Sequence, residues 1–248
     1  MDLFALPPVA TLLDAAYRAL MGLTHLLEPL TGGLAAVLAV VLVTLLVRAA
    51  LIPVGVSQAK AERTRARMAP LLAEVQRRHA HDPAKLQAAT MQLYADQGAS
   101  PFAGCLPVLA QAPVIGVIYA VFVHPQLAGH GNDLLTATLG GVPLGTSLMH
   151  AITGGGVSGT TVVVFGLLVA AIALAGELSR RAVAPGGALA IGTPASAPAG
   201  VGRLLGAMQF VTAVMACVVP LAAGVYLLVT VWWTLGQRLV LRRRYPLG

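Results

Sequence analysis

The stretch LAAVLAVVLVTLLVRAALIPVGV, residues 34–56, decides the fold class. A membrane-spanning helix needs about 20 mostly apolar residues, and this stretch has that length and composition. Its one charged residue is Arg48, with no acidic residue beside it. A charge at membrane depth costs about 2.5–3.5 kcal/mol on insertion scales. Arg48 is therefore expected to face a polar or water-filled cavity inside the protein instead of lipid.

The composition of the whole chain indicates a multi-span, all-α membrane protein. Hydrophobic residues make up 57% of the 248 residues, charged residues make up 10%, and the mean hydropathy is +0.82. Soluble domains are about 45–50% apolar and about 25% charged. The first residues, MDLFALPPVA, have an acid where a signal peptide has basic residues, and two prolines interrupt the apolar part. No cleavable signal peptide is predicted.

Five segments are predicted to span the membrane. They are residues 34–56, 107–123, 161–178, 204–219 and 220–240. Lys and Arg residues lie between the first two spans, between the third and fourth, and after the fifth, whereas the 124–160 loop contains none. The positive-inside rule predicts that the N-terminus and this loop lie outside, and that the C-terminus is cytoplasmic.

The segments between the spans have distinct predicted structures. Residues 1–33 predict an amphipathic helix on the outer membrane surface, because apolar residues recur there at helical spacing and the charged residues lie off that stripe. Residues 57–106 predict a cytoplasmic helical hairpin. Residues 179–203 are rich in Ala, Gly, Pro and Ser and predict a flexible cytoplasmic linker. Residues 241–248 are a short basic cytoplasmic tail.

The hairpin prediction rests on a helix start within the segment. Asp82 is a good N-cap residue and Pro83 a good first helical residue, so helices are expected at about 58–79 and 83–97. The basic face of the hairpin is either solvated, in contact with anionic lipid head groups, or a docking surface for a partner. The residues assigned to the hairpin are Arg63, Arg65, Arg67, Arg77, Arg78, Asp82 and Pro83.

Polar residues on several spans predict a water-filled cavity around Arg48. Thr44 lies one helical turn before Arg48 and shares its face. Single polar residues in spans form interhelical hydrogen bonds worth about 0.6–2 kcal/mol each. An unpaired arginine combined with polar residues on several spans favours a wet cavity instead.

The sequence lacks motifs for catalysis and for ligand binding. It has no P-loop and no HExxH motif, and the spans hold no Ser/His or paired Asp set of an intramembrane protease. Cys105 and Cys217 have no CxxC or Cys/His spacing and are predicted to be small buried apolar residues. The net charge of +7 comes without a nucleic-acid-binding motif. The chain is therefore expected to be no enzyme, to carry no cofactor or metal, and to bind no nucleic acid.

The order of these features resembles the YidC-type membrane protein insertases. The sequence VRAALIP resembles the family's first core span with its single arginine. Residues 101–113, PFAGCLPVLAQAP, resemble the family's proline, Gly-Cys-x-Pro and Gln-x-Pro signature between the hairpin and the second span. The spacing of Pro220, Tyr226 and Gln237 is similar to that in the family's last span. The residues assigned to the structural motif are Gly104, Cys105, Pro107, Pro113 and Pro220.

The resemblance extends over about residues 8–125 and, more moderately, over 204–244, whereas 126–203 is similar in topology alone. The chain departs from the family at Val231, where the family often has Asn. It also begins its last span with Pro220-Leu-Ala instead of Pro-[Ser/Ala]-Gly. The large extra outer domain and the long basic tail of some relatives are missing, so the short, five-span form is expected.

The resemblance implies a membrane protein insertase and chaperone of the bacterial plasma membrane that acts without nucleotide hydrolysis. It also implies a groove that opens to the cytoplasm and to lipid and is closed to the outside. The residues assigned to this groove are Thr44, Arg48, Gln111, Tyr119, Tyr226, Thr230 and Gln237. The implied partners are nascent membrane proteins and membrane lipids, with the Sec translocon, the ribosome or the signal recognition particle pathway as further candidates. The alternatives are a small-solute transporter or channel, although no inverted repeat is found, and an assembly factor without insertion activity.

Overall fold

The structure, a computed structural model, describes residues 7–98, 116–117, 119–127, 130–182 and 210–244. These residues form mainly α-helices. The helices are α1 (Pro7–Thr31), α2 (Ala35–Ala50), α3 (Ile52–Arg78), α4 (Pro83–Asp96), α5 (Leu148–Thr153), α6 (Gly159–Ala182), α7 (Val211–Val218) and α8 (Leu221–Arg244). Residues 116–117 and 119–123 are helical as well.

Several predicted residues lie outside the part of the chain that the structure describes. They are Gln111 of the groove and the motif residues Gly104, Cys105, Pro107 and Pro113. Most of the predicted linker and the end of the predicted tail also lie outside it. Pro220 is described, and it separates α7 from α8 where the sequence predicts a break between two helices.

Three helical stretches among the described residues are long and apolar enough to cross a membrane. They are Val9–Ala50, Gly159–Arg181 and Leu221–Leu241. They overlap the first, third and fifth predicted spans. Only parts of the second and fourth predicted spans are described, so five spans stay a prediction. The stretch Val9–Ala50 includes α1, and the location of α1 on the membrane surface is also still a prediction.

The first predicted span ends earlier than the sequence indicates. The apolar run continues to Val56, but α2 ends at Ala50 and α3 begins at Ile52. Leu51 between them has φ −88° and ψ 6°. Pro53 explains the break, because proline has no N–H group and fits only in the first turn of a helix. The helix that enters the hairpin therefore starts at Ile52 instead of about residue 58.

The chain divides into two compact units. The first unit comprises Met1–Ala50, Ala112–Gly176 and Phe210–Thr234. The second unit comprises Leu51–Gln111, Glu177–Gln209 and Leu235–Gly248. The division after Ala50 coincides with the break between α2 and α3.

The first unit has an apolar core against which α1 packs. Leu13, Tyr17 and Leu20 of α1 are 4%, 7% and 3% exposed, at the spacing of one helical face. They belong to one cluster with Val40 of α2 and Phe165 of α6. Burying a large apolar side chain contributes about 1.5–3 kcal/mol. Leu13 and Leu20 belong to the apolar stripe predicted in residues 1–33, and together with Tyr17 they pack α1 on the core of the first unit.

The 124–160 segment contains short elements, whereas the sequence predicts only a loop. Strand β1 (Gln126–Leu127) pairs with β2 (His130–Gly131), and β3 (Thr138–Leu139) pairs with β4 (Val142–Pro143), both antiparallel. Leu134 and Leu144 are 1% and 0% exposed. The amides of Leu221 and Ala222 donate to the carbonyl oxygens of Thr146 and Leu144, both at 2.9 Å. This segment thereby satisfies amides that the start of α8 leaves free.

Helices α3 and α4 of the second unit lie in the segment for which the sequence predicts a hairpin, and the two helices are in contact. The Asp82 side chain accepts a hydrogen bond from the Lys85 amide at 3.1 Å, and Pro83 is the first residue of α4. This is the cap that the sequence predicts. The Lys85 amide is the principal reason why the pKa of the Asp82 carboxyl lies below its ordinary value, with the Lys85 side chain as the next cause. Pro70 lies inside α3.

Candidate functional site

Arg48 is an isolated charge in the first unit. Of the 16 Lys and Arg residues of the chain, only Arg18 and Arg48 fall within the ranges of this unit. Arg18 lies 2.6 Å from the Asp14 carboxylate, measured from Nη2 to Oδ2. Arg48, in the last turn of α2, is half-buried and makes no ion pair with any described residue. Its charge is therefore left for water or a ligand to satisfy.

Thr44 lies one helical turn before Arg48, but it does not present its hydroxyl to a wet surface. The residue is 1% exposed, and its hydroxyl donates to the carbonyl oxygen of Val40 at 2.7 Å. A threonine whose hydroxyl is bonded within its own helix packs much as an apolar residue does. The expectation that Thr44 lines the groove thus differs from its position here, where it belongs to the packed side of α2.

Tyr226 on α8 also faces the core of the first unit. It is 5% exposed, and its ring centroid lies 6.1 Å from that of Phe122, with the planes inclined at 54°. Such tilted aromatic pairs are worth about 0.5–1.5 kcal/mol beyond the area they bury. Tyr119, one turn before Phe122 in sequence, is 41% exposed. The two predicted groove tyrosines therefore have different surroundings.

Thr230 carries an enclosed hydroxyl one turn after Tyr226. Its Oγ1 atom is buried and has no hydrogen-bond partner in the part of the chain that the structure describes. The neighbouring Thr234 hydroxyl is bonded, because it donates to the Thr230 carbonyl oxygen at 2.8 Å. Leaving a buried hydroxyl unsatisfied costs about 1–3 kcal/mol. Thr230 is thus, beside Arg48, a second predicted groove residue whose polar group lacks a partner among the described residues.

Gln237 belongs to the second unit, whereas the other described groove candidates belong to the first. Its side chain packs on the backbone of α3 at Gly55. Among the described candidates, the structure places Thr44, Arg48, Tyr119, Tyr226 and Thr230 in the first unit. Of these, Arg48 and Tyr119 keep appreciable exposure, whereas Thr44 and Tyr226 are buried.

The hairpin cations vary in their surroundings. Arg78 forms an ion pair with Glu74 one turn earlier, and both side chains are largely exposed. Arg67 and Arg77 are exposed, whereas Arg63 is half-buried and its Nε atom has no hydrogen-bond partner among the described residues. The side chain of Arg65 is outside the described part. An exposed ion pair such as Arg78–Glu74 contributes about 0–1 kcal/mol to stability.

Sequence reasoning missed Gly55 and Asn132. Gly55 lies within an apolar run. It lies close to Gln237, which is about 180 residues later in the chain. A glycine inside a predicted span is a signal for close packing. Asn132 lies in the predicted outer loop, but it is 5% exposed and donates two hydrogen bonds. Its sequence context carries no signal for that role, because its partners lie 8 and 11 residues earlier.

Comparison of the sequence with known proteins matches the chain to one family. A family model described as "60Kd inner membrane protein" matches residues 26–247. "Membrane protein insertase YidC" of Clostridium perfringens is 32% identical over 117 residues, which is 47% of this chain and 49% of the relative. The protein of the same name in Oceanobacillus iheyensis is 38% identical over 98 residues, 38% of this chain and 39% of the relative.

A third relative is a longer protein, so the match covers a smaller share of it. "Membrane protein insertase YidC" of Aquifex aeolicus is 34% identical over 87 residues, which is 35% of this chain and 17% of the relative. The matches with these three curated relatives therefore span half of their length or less.

Proposed function

Because the chain belongs to the 60Kd inner membrane protein family, we propose that it is a membrane protein insertase and chaperone, the activity for which its curated relatives are named. It inserts membrane proteins, and helps them fold, through a hydrophilic groove that is open to the cytoplasm and to lipid. The groove is centred on Arg48, and the reaction uses no nucleotide hydrolysis.

The observation that carries this proposal is the state of Arg48. A half-buried guanidinium without an ion pair among the described residues attracts water and negative charge into a region that is otherwise apolar. A substrate's short acidic outer segment would meet this charge partway across the membrane. The dry path that remains is then shorter, and the barrier to crossing is lower.

The driving force comes from the substrate's own apolar segment. Once the polar segment has crossed, the helix moves sideways into lipid, and burial of about 20 apolar residues makes the step favourable. Tyr119 and Thr230 line the path beside Arg48, and Gln111 joins them by resemblance to the family. Thr44 and Tyr226 support the wall of the groove from the core side.

The proposed orientation follows from the charge distribution, and the proposed partners follow from the family to which the chain belongs. The N-terminus and the 124–160 segment lie outside, and the hairpin of α3 and α4 lies in the cytoplasm. Nascent membrane proteins are the substrates. The hairpin receives them or the machinery that delivers them, of which the Sec translocon, the ribosome and the signal recognition particle are candidates.

Reconstitution tests the proposal. The purified protein is placed in liposomes without other translocation machinery, and a single-span substrate with an acidic outer tail is added. Insertion is scored by protease protection for wild type, Arg48→Lys and Arg48→Ala. We expect Lys to retain insertion and Ala to reduce it about tenfold, the factor produced by about 1.4 kcal/mol in the barrier. A substrate with a neutral tail serves as the control and should respond less to Ala.

The remaining outcomes assign other functions. Equal insertion by Arg48→Ala and wild type, for both substrates, would reject the electrostatic role. Ion flux without insertion would indicate a channel. Neither insertion nor flux, together with improved folding of substrates already in the membrane, would indicate an assembly factor.

A further inference from the structure

Helix α5 of the first unit lies between the starts of two long apolar helices, α6 and α8. The amides of Leu221 and Ala222, with which α8 begins, donate to the carbonyl oxygens of Thr146 and Leu144 just before α5. Helix α6 begins at Gly159, shortly after α5 ends. Both α6 and α8 are long and apolar enough to cross a membrane. Their starts therefore lie at one membrane surface, and α5 lies at that surface between them.

Helix α5 has an inward face and an outward apolar face. Ala151 is 7% exposed, and Leu148 packs on the core cluster of the first unit. Met149 and Ile152, three residues apart and so on one side of the helix, are 50% and 55% exposed. Val157, between α5 and α6, is 43% exposed. These three exposed residues, called here the α5 patch, pack on no core and need another apolar surface to cover them.

The α5 patch adjoins surfaces that spanning helices turn towards lipid. Val162 and Val163, in the first turn of α6, are 55% and 58% exposed. Helix α5 also contacts α7, which lies in the fourth predicted span. The exposed large residues of α7 follow one helical stripe, and they are Val211, Val214, Met215 and Val218. Acyl chains that cover these two helices would therefore reach the α5 patch as well.

The sequence around the α5 patch carries no formal charge. From Leu134 to Gly176 there is no Asp, Glu, Lys or Arg. The one ionisable side chain in this stretch is His150, whose imidazole can enter an interface uncharged. Charged side chains are the most costly ones to place in lipid. A long uncharged stretch therefore suits contact with a membrane better than contact with a charged, water-soluble partner.

The polar groups of α5 are satisfied within the segment itself. At its start, the hydroxyl of Ser147 accepts from the amide of His150 at 3.2 Å. At its end, the amides of Gly155 and Gly156 donate back to the helix at 3.4 and 3.1 Å, and Gly155 has the φ of 69° that this closure requires. The Thr153 hydroxyl donates to a backbone carbonyl at 3.0 Å. Lipid can therefore replace water around α5 without leaving these groups unpaired.

We propose that residues 147–157 rest in the lipid interface, with the α5 patch inserted among the glycerol groups and the upper acyl chains. Segments of this kind lie about 5–10 Å into the boundary between head groups and acyl chains. The contact anchors the starts of α6 and α8 at the membrane surface. It goes beyond the proposed function, because contact with lipid needs no substrate. Under the proposed orientation the lipid belongs to the outer leaflet.

Depth measurements in vesicles test the proposal. A nitroxide label is placed at Met149→Cys or, in a separate chain, at Val157→Cys, with Cys105 and Cys217 replaced by Ser. The protein is reconstituted in phosphatidylcholine vesicles. Collisions of the label are measured with oxygen, which concentrates in lipid, and with a water-soluble nickel chelate. We expect both labels to collide mainly with oxygen, at a depth of about 5–10 Å.

Asp133→Cys is the control, because it lies at an exposed and normally charged position of the same outer segment. Its label should collide mainly with nickel. If the labels at 149 and 157 collide with nickel as often as this control does, the α5 patch lies in water and the proposal is overturned. Few collisions with either reagent would mean that a protein, either a second copy or a partner, covers the patch, and would overturn it as well.

A charge in the α5 patch tests whether the native side chains, and not the label, hold the segment in lipid. Ile152→Asp places a short acid at an exposed position, so it removes no core contact. It should raise nickel collisions of the label at 157 severalfold, whereas Gln126→Asp, at an exposed position elsewhere in the outer segment, should leave them unchanged. An unchanged depth in Ile152→Asp would overturn the role of the patch. These readouts need no insertion activity, so failure of the proposed function would leave them intact.

Discussion

The side-chain amide of Asn132 donates a hydrogen bond to the carbonyl oxygen of Val121 across 2.7 Å. The same nitrogen donates to the carbonyl oxygen of His124 at 3.0 Å. Both acceptors lie at the end of the helical residues 119–123, where the last carbonyl groups have no partner within the helix. Asn132 is 5% exposed, so water replaces these bonds poorly. One side chain of the 124–160 segment therefore closes a helix end of the first unit.

Asn132→Ala should destabilise the protein, because it leaves two largely enclosed carbonyl groups without a donor. The expected loss is about 1–3 kcal/mol. Asn132→Asp should be worse, since a carboxylate would then face two carbonyl oxygens. Thermal unfolding in detergent, followed by the fluorescence of Trp232 and Trp233, measures both variants. Gln126→Ala, at an exposed position nearby, is the control, and equal melting temperatures for Asn132→Ala and this control would contradict the prediction.

The cap of α4 should depend on pH through Asp82. Its pKa in the folded chain lies below the ordinary value of 3.8, chiefly because the Lys85 amide donates to the carboxylate. A lowered folded pKa means that the stabilisation is present above the unfolded pKa and is lost as pH falls through the folded pKa. Hydrogen exchange at the start of α4, corrected for the intrinsic rate, should therefore stay constant from pH 7 to about 4 and rise below it.

Variants at position 82 separate the cap from the titration. Asn is an equally good N-cap but does not titrate, so Asp82→Asn should keep α4 protected at every pH. Asp82→Ala should raise exchange at the start of α4 about fivefold at pH 7. Asp96→Asn, at the other end of the helix, is the matched control. The same pH response in wild type and Asp82→Asn would assign the change to another group.

The starts of α3 and α4 differ in how well the sequence predicts them. The start of α4 depends on neighbours in the chain, because Asp82 and Pro83 act on amides within three residues. Local rules therefore predict it. The start of α3 shows where the apolar pattern misleads, since hydrophobicity continues to Val56 while Pro53 already ends the preceding helix. The chemistry of a single residue outweighs a pattern of many there.

Tertiary relationships account for what could not be predicted in the candidate site. The isolation of Arg48 is visible in sequence, because charges are rare in apolar stretches. The burial of Thr44 is not, since it depends on which side of α2 the core covers. The placement of Gln237 against Gly55 likewise joins helices that are far apart in the chain. A stripe of polar residues on one helix predicts that this face turns away from lipid. It does not show which of these residues are in contact with water.

Thr230 should be the groove threonine that can lose its hydroxyl without loss of stability. Its Oγ1 atom is buried and lacks a partner among the described residues, so Thr230→Val removes an unsatisfied group and no hydrogen bond. We expect a melting temperature equal to or above that of wild type, with reduced insertion if water or substrate uses this hydroxyl. Thr234→Val, which loses a bond to the Thr230 carbonyl oxygen, is the control and should melt lower. A Thr230→Val protein that melts below Thr234→Val would mean that the hydroxyl has a structural partner.

Arg48→Leu should change stability and activity in opposite directions. A leucine removes a charge that costs up to about 2.5–3.5 kcal/mol at membrane depth, and less where groove water reaches it. Arg48 makes no ion pair with a described residue that would be lost in exchange. The melting temperature should therefore rise by several degrees, since about 1 kcal/mol corresponds to about 2–4 °C in a chain of this size. Insertion of the substrate with the acidic tail should fall at the same time.

Arg48→Lys is the matched control, because it keeps the charge and should leave both the melting temperature and insertion near wild type. In Arg48→Leu, a rise in melting temperature together with a fall in insertion would indicate that the charge serves function and not structure. A structural arginine would hold neighbouring groups in place, so its replacement by leucine would lower the melting temperature and insertion together. That joint loss would contradict the groove, whereas a more stable and less active protein is what a charge kept for passage of the substrate requires.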